Sequence, residues 1–204
     1  DGNKNLIHFK NRPPLGFDYL SINVGINNDT KTIKNAEKYA LRLKPISKIN
    51  YNEITNNLKG KKVGIIGSGP AGVEISFALK KRYNDIDIIL FTGKRGLLSN
   101  YSNSSKNSIL KKLNEANIKV IFKDEVIEIK KNKIITKSSQ VYLTDKAILS
   151  TNGAPPKWLK KTNLKLSQDG FIQTNDKLQT NFNHIFAAGD IIKFSNKNLT
   201  KSGV

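Results

Sequence analysis

The stretch KKVGIIGSGPAGVEISFALKK, residues 61–81, constrains the fold more than any other part of the chain. An apolar run over residues 63–66 enters a glycine-rich turn, and Ile75, Ala78 and Leu79 follow it at helical spacing. This order predicts a buried strand, a tight turn and a helix. The turn consists of Gly67, Ser68, Gly69, Pro70, Ala71 and Gly72.

Each glycine of this turn has its own physical role if the turn binds a dinucleotide. Gly67 permits the sharp turn, Gly69 lets the backbone approach a pyrophosphate, and Gly72 lets helix and strand pack closely. The helix N-terminus adds N–H groups without intrahelical partners and about half a positive charge. We therefore expect dinucleotide binding here; the alternative is a glycine-rich turn of purely structural purpose.

Strands and helices continue to alternate after this turn. The pattern predicts strands at residues 86–91 and 119–122, joined by a helix that carries Ile109 and Leu113. Asn117 is expected to end that helix in the left-handed conformation.

A three-stranded antiparallel meander is predicted next, at residues 125–129, 133–136 and 141–142. Residues 147–150 then return to the parallel sheet. Together these elements predict an α/β domain over residues 60–151.

The flanking segments are less regular. In residues 1–59, the pattern predicts short strands near residues 5–9 and 17–25. It also predicts an uncertain short helix at residues 36–43 and an amphipathic helix at residues 47–59. In the last third, an apolar strand that starts at Ile185 ends in Gly189 and Asp190. A carboxylate at the carboxyl end of a strand can accept hydrogen bonds from sugar or polyol hydroxyls.

Composition narrows the possible chemistry. The chain has 35 Lys and Arg against 16 Asp and Glu, a net charge of +19, but its lysines are spread along the whole sequence. We therefore expect no specific nucleic-acid binding. Cysteine is absent, which excludes disulfide and thiolate chemistry within these residues. His8 and His184 have no neighbours that suggest a metal site, so no metal is predicted.

Two further expectations concern the cell and the length of the protein. No apolar run approaches the length of a transmembrane segment, which predicts a soluble, cytoplasmic protein. Methionine is absent even from position 1, which indicates either a processed chain or a piece of a longer one, and we expect the second.

The order of motifs resembles the pyridine nucleotide-disulfide oxidoreductase family. The glycine-rich turn is followed by Thr151-Asn152-Gly153, where family members often have Ala-Thr-Gly. The segments Gly170-Phe171-Ile172, Leu178-Gln179-Thr180 and 185–190 are similar to the second flavin-binding signature of the family. The members without a redox disulfide, such as type II NADH dehydrogenase-like flavoproteins, are the most similar, especially those fused to selenide, water dikinase.

The resemblance implies an architecture. It predicts an α/β fold in which a Rossmann-like, three-layer NAD(P)-binding domain with a β-meander, residues 60–151, is inserted between two partial segments of an FAD-binding domain. These segments are residues 1–59 and residues 152–204. Since the family's other GxGxxG sequence does not precede Gly67, the chain is expected to be a central fragment that retains FAD poorly, and a homodimer would form through regions outside it.

The resemblance also implies a reaction. A nicotinamide cofactor passes hydride to FAD, which passes electrons to an unidentified acceptor. The glycine-rich turn would hold the dinucleotide with Asn152 and Gly153, and Gly189 and Asp190 would hold the flavin ribityl chain. Glu74 matches an acidic residue near the nicotinamide and flavin rings; alternatively, it is an acid in the first helical turn that the helix dipole favours.

The choice between NAD and NADP is predicted from the end of the second strand. An acid about twenty residues beyond the glycines binds the ribose hydroxyls of NAD, whereas basic residues accommodate the NADP phosphate. Here Thr92 occupies that position and Lys94 and Arg95 follow. NADP is therefore favoured over NAD, unless the two cations merely reflect the general lysine excess.

Three functions remain open. The first is an FAD-dependent NAD(P)H oxidoreductase. The second is the flavoprotein portion of a fusion with selenide, water dikinase, which makes selenophosphate. The third is a non-enzymatic basic binding module on the same scaffold.

Overall fold

The computed structural model describes residues 1–45, 49, 58–151 and 153–194. Within these residues, the strands in chain order are β1 Leu6–Ile7, β2 Leu15–Gly16, β3 Leu20–Ile22, β4 Asn27–Asn28, β5 Ala40–Arg42, β6 Lys62–Ile66, β7 Asp87–Phe91, β8 Ile118–Ile121, β9 Val126–Lys130, β10 Lys133–Thr136, β11 Val141–Leu143, β12 Lys146–Leu149, β13 Gly153–Ala154, β14 Ile172–Thr174, β15 Ile185–Ala187 and β16 Ile192–Phe194. The α-helices are α1 Ala36–Tyr39, α2 Pro70–Arg82 and α3 Asn103–Glu115, and 3₁₀ turns occupy Lys157–Lys161 and Gly189–Ile191.

The chain divides into two compact units. One is Asn28–Asn152, and the other combines Asp1–Asn27 with the chain from Gly153 onward.

A five-stranded parallel sheet forms the centre of the first unit. Its strand order is β5-β12-β6-β7-β8. β7 and β8 follow β6 in chain order toward one edge of the sheet, whereas β12 pairs with the opposite side of β6. The order therefore reverses beside β6, and ligands of open α/β sheets bind at such a switch point, outside the carboxyl ends of the strands.

Each face of this sheet is covered by a different layer. Helices α2 and α3 cover one face, where Val63, Ile65 and Leu90 meet Leu79 and Leu113 in a buried cluster. The antiparallel sheet β11-β10-β9 covers the other face, where Ile129 and Ile134 are buried with Ile66, Phe91 and Leu149. Each such apolar side chain stabilises the fold by about 1.5–3 kcal/mol on burial. The predicted three-layer α/β architecture is confirmed.

The turns of this unit follow the chemistry of their residues. Asn117 has a φ of 53° directly after α3, which confirms the predicted left-handed cap. Asn132 and Ser139, with φ values of 63°, lie in the two turns of the meander. Ser102 caps the N-terminus of α3, and its hydroxyl accepts a hydrogen bond from the Ser105 amide.

The unit that contains the parallel sheet begins at Asn28, upstream of residue 60, where the NAD(P)-binding domain was predicted to start. The predicted helix over residues 36–43 ends at Tyr39, and Ala40–Arg42 instead forms β5 at the edge of the parallel sheet. The predicted helix over residues 47–59 lies largely outside the described residues. The assignment of the flanking segments to an FAD-binding domain stays a prediction.

The second unit is built from short strands. β3 pairs in parallel with β15, and β14 pairs in parallel with β16. The strand predicted over residues 17–25 is only three residues long, and β2, which pairs with β1, was not predicted. The core contains Ile22, Leu159, Ile172, Ile185, Ala187, Ile191 and Ile192.

In the part of the chain that the structure describes, no helix combines the length and the apolar character needed to cross a membrane.

Candidate functional site

The glycine-rich turn joins the carboxyl end of β6 to the N-terminus of α2. Gly67 has a φ of +108°, and an ideal Cβ there would lie 2.5 Å from the carbonyl oxygen of Ser150. Its amide donates a hydrogen bond to the Phe91 carbonyl oxygen at 3.0 Å. Position 67 thus excludes a side chain, because the turn passes directly over the ends of β7 and β12.

The other two glycines differ from each other in what surrounds them. A Cβ on Gly72 would collide with the carbonyl oxygen of Gly67, so this position brings helix and turn together. A Cβ on Gly69 would meet no atom within 4 Å. Gly69 has a φ of −70°, and its backbone therefore demands no glycine. The open space above Gly69 is where a ligand can approach the backbone.

The N-terminus of α2 suits an anion. Gly69 is the residue that precedes the helix, and Pro70 occupies its first turn. Proline lacks the N–H group that would have no intrahelical partner there, while the amides of Ala71 and Gly72 remain available for a phosphate. The first turn contains no acidic residue, so no side chain of that turn competes with an anionic ligand for the positive end of the helix dipole.

A cleft of about 340 Å³ opens beside this turn, at the carboxyl ends of β6 and β7. Gly67, Thr92 and Thr151 line this cleft. Of these, Gly67 and Thr92 are predicted site residues, and the cleft brings them together. Its apolar lining is formed by Ile33, Ile66, Phe91, Val126 and Ile127. Apolar walls with a few polar groups are typical of sites for flat organic ligands.

The predicted ribose position, Thr92, is buried and already hydrogen-bonded. Its hydroxyl accepts a hydrogen bond from the Lys123 amide at 3.2 Å and donates one to the Gly93 carbonyl oxygen at 3.2 Å. Lys94 and Arg95 follow on an exposed turn and are not among the described residues that line the cleft. Gly93, which lines the cleft, directly precedes these two cations and so connects the cleft to the turn that carries them.

Ser68 is buried, with 4 % of its surface exposed. Its hydroxyl donates to the Gly96 carbonyl oxygen at 3.1 Å, and its own carbonyl oxygen accepts from the Leu98 amide at 3.0 Å. The glycine-rich turn is thereby tied to the turn that carries Lys94 and Arg95.

Glu74 lies on α2 beyond its first turn, which corrects the alternative that it is a first-turn acid. Its side chain is exposed, and it is not among the described residues that line the cleft. Its proposed place near the nicotinamide and flavin rings stays a prediction.

Asn28 was missed in the sequence. It is buried, and its side-chain oxygen accepts from the amides of Leu43 and Lys44 at 2.9 and 2.8 Å. Its side-chain nitrogen donates to the Thr151 carbonyl oxygen at 3.3 Å. These bonds hold Thr151 at the cleft. No pattern in the sequence predicts them, because their partners are distant backbone groups.

Buried hydroxyls also mark this edge of the sheet. Among the described residues, the hydroxyls of Ser150 and Thr151 are buried without a hydrogen-bond partner. Buried polar groups are usually paired, so these two atoms fit a site that takes a polar ligand.

The remaining predicted residues lie elsewhere or outside the described residues. Asn152 is not described. A Cβ on Gly153 would collide with the Ile26 side chain, so that glycine serves local packing. Gly189, with a φ of +75°, follows β15, and a Cβ there would lie 2.5 Å from the side-chain oxygen of Asn23. Asp190 is half-buried in the 3₁₀ turn that starts at Gly189.

Comparison with known proteins gives a family match over residues 12–202, to the model described as pyridine nucleotide-disulphide oxidoreductase. Coenzyme A disulfide reductase of Staphylococcus aureus is 33 % identical over 131 residues, which are 64 % of this chain and 30 % of that protein. NADH dehydrogenase-like protein YutJ of Bacillus subtilis is 23 % identical over 150 residues, or 72 % of this chain and 42 % of that protein.

The structure of NDH2 from Plasmodium falciparum in complex with NADH has a similar fold. It superposes with a TM-score of 0.76 at 21 % identity and covers 95 % of this chain and 48 % of that one. The chain therefore spans less than half the length of each of these three proteins.

Proposed function

Since the chain belongs to the pyridine nucleotide-disulphide oxidoreductase family, we propose that it is part of an FAD-dependent NAD(P)H oxidoreductase. Its nicotinamide dinucleotide binds at the glycine-rich turn between β6 and α2. With both cofactors bound, the nicotinamide would supply hydride to the flavin, and the electrons would pass on to an acceptor that is not identified.

The observation that carries this proposal is the contrast between the three glycines. Gly67 and Gly72 are crowded by backbone atoms, whereas Gly69 faces open space although its φ would suit any residue. Crowding by the backbone explains why glycine stands at positions 67 and 72, but it does not explain the glycine at position 69. Close approach of a pyrophosphate to the backbone explains Gly69.

The residues at the turn fit a dinucleotide. The amides of Ala71 and Gly72 and the positive end of α2 would bind the pyrophosphate. The unpartnered hydroxyls of Ser150 and Thr151 would bind polar groups of the ligand, and the apolar wall of the cleft would exclude water from a planar ring.

The residues of the second unit fit one part of FAD. Gly189 makes a tight turn at the carboxyl end of β15, and Asp190 would accept hydrogen bonds from the ribityl hydroxyls. When bound, nicotinamide and flavin supply the hydride chemistry. The chain's own contribution is to bind and orient them, with Glu74 proposed to orient the nicotinamide carboxamide or to act beside the flavin.

The finer prediction, a flavoprotein fused to selenide, water dikinase, gains no support from the relatives described above. The acceptor, the cytoplasmic location and a homodimer likewise stay predictions.

Anaerobic reduction of the natural full-length protein tests the proposal. Flavin absorption at about 450 nm should be present and should disappear after NADH or NADPH is added. A colourless protein that added FAD does not reconstitute, or a flavin that neither nucleotide reduces, would contradict it.

A further inference from the structure

Hydrogen bonds of Thr92 fix the start of the turn that follows β7. The amide of Thr92 donates to the Ile121 carbonyl oxygen at 3.0 Å, and the Thr92 hydroxyl accepts from the Lys123 amide at 3.2 Å. The same hydroxyl donates to the carbonyl oxygen of Gly93. The turn therefore leaves the sheet in one fixed direction.

Ser68 holds the far end of the same turn. Its hydroxyl and its carbonyl oxygen bind the backbone at Gly96 and Leu98, at 3.1 and 3.0 Å. Because Ser68 is 4 % exposed, water competes little for these bonds. A residue of the phosphate-binding turn thus sets the position of residues 93–96.

Lys94 and Arg95 lie between these two attachments and are exposed. Neither forms an ion pair with another described residue. A lysine and an arginine without acidic partners are suited to a phosphate, which arginine binds through paired hydrogen bonds. No carboxylate stands at Thr92 to accept hydrogen bonds from the free ribose hydroxyls of NAD.

We propose that Ser68 is a positioning residue, which holds the turn carrying Lys94 and Arg95 so that they bind the 2′-phosphate on the adenosine ribose of NADPH. The site therefore prefers NADPH to NADH. This inference rests on the proposed function, since it assumes that the dinucleotide binds at the glycine-rich turn.

Other charged groups at this end of the sheet have to be weighed. Glu125 lines the cleft, and its carboxylate would repel a phosphate. The Lys137 ammonium lies 4.0 Å from it and offsets part of that repulsion. Asp124 accepts two hydrogen bonds from Ser138 and is directed to the meander. At the turn itself the charged residues are Lys94 and Arg95, and neither has a partner of opposite charge among the described residues.

The test compares two adenosine nucleotides, so that it needs neither flavin nor turnover. Calorimetry measures the affinity of the whole chain for adenosine 2′,5′-bisphosphate and for 5′-AMP at one fixed ionic strength. The wild-type chain should bind the bisphosphate about tenfold more tightly or better, as expected for a charge-assisted contact. Ser68→Ala should reduce this preference by at least about threefold.

Matched variants separate positioning from general effects. Ser76→Ala removes a buried hydroxyl on α2, which donates to the Gly72 carbonyl oxygen and does not contact the cationic turn, and this variant should keep the preference. The double variant K94Q/R95Q changes only exposed side chains and should abolish the preference. K160Q/K161Q removes two exposed lysines of the other unit and should keep it.

The outcomes are distinct. A reduced preference in Ser68→Ala, together with loss of the preference in K94Q/R95Q, supports the inference. Equal affinity of the wild-type chain for both nucleotides, or an unchanged preference in Ser68→Ala, overturns it while leaving dinucleotide binding intact. Failure to bind either nucleotide contradicts the proposed function as well.

Discussion

Gly67 and Ser150 come so close that a Cβ on Gly67 would lie 2.5 Å from the carbonyl oxygen of Ser150. The contact joins the glycine-rich turn to the end of β12, at the point where the strand order of the sheet reverses. It makes glycine a structural requirement at position 67.

Gly67→Ala should destabilise the unit by about 2–4 kcal/mol, because it adds a steric overlap to an unfavourable positive φ. Gly60→Ala is the matched control in the same unit, since Gly60 has a φ of +64° and the atom nearest to an added Cβ lies 3.9 Å away. Urea unfolding measures both variants. Equal losses of stability would show that the contact with Ser150 is unimportant.

Asn28→Ala should cost about 1–3 kcal/mol, since it leaves the amides of Leu43 and Lys44 without their acceptor. The exposed Asn100, changed to alanine, should alter stability by less than about 0.5 kcal/mol. Thermal and urea unfolding provide the comparison. Similar stabilities of the two variants would refute the assignment of Asn28 as a structural residue of the cleft.

The stability of the meander should depend on pH through Asp124. Burial tends to raise the pKa of this carboxyl, but hydrogen bonds from the side chains of Ser138 and Thr136 and from the Ser138 amide outweigh it and lower the pKa. A lowered pKa in the folded state means that the contribution is present above the unfolded pKa of about 3.9 and is lost as the pH falls through the folded value.

The unfolding free energies of the wild-type chain and of Asp124→Asn should therefore differ most above about pH 5 and converge at lower pH. Ser138→Ala removes the hydroxyl donor and should weaken this pH dependence. Parallel pH curves for wild type and Asp124→Asn would rule out the contribution.

The local parts of the fold could be predicted from the sequence. The periodicity around residues 61–81 gave β6, the turn and α2, and Asn117 was correctly expected in the left-handed conformation. These features depend on residues near each other in the chain, where spacing and turn chemistry are informative.

The non-local parts were not predictable in this way. β5 pairs with β12, more than a hundred residues away, so a short segment that looked helical became an edge strand. The partners of Ser68 are backbone groups at Gly96 and Leu98, which carry no sequence signal. The sequence therefore predicts Lys94 and Arg95 as cofactor-binding residues but gives no reason to assign a positioning role to Ser68.

The most direct test of dinucleotide binding is the affinity of Gly69→Ala for NADH and NADPH, measured with its stability. An added Cβ meets no atom, so stability should change by less than about 1 kcal/mol. Gly16→Ala, at an exposed glycine with a nearest contact of 4.0 Å, is the matched control and should bind as the wild type does. If a pyrophosphate approaches this backbone, Gly69→Ala should weaken binding of the preferred nucleotide at least about tenfold. A folded Gly69→Ala that binds as tightly as the wild type, or a wild-type chain that binds neither nucleotide, would contradict the account.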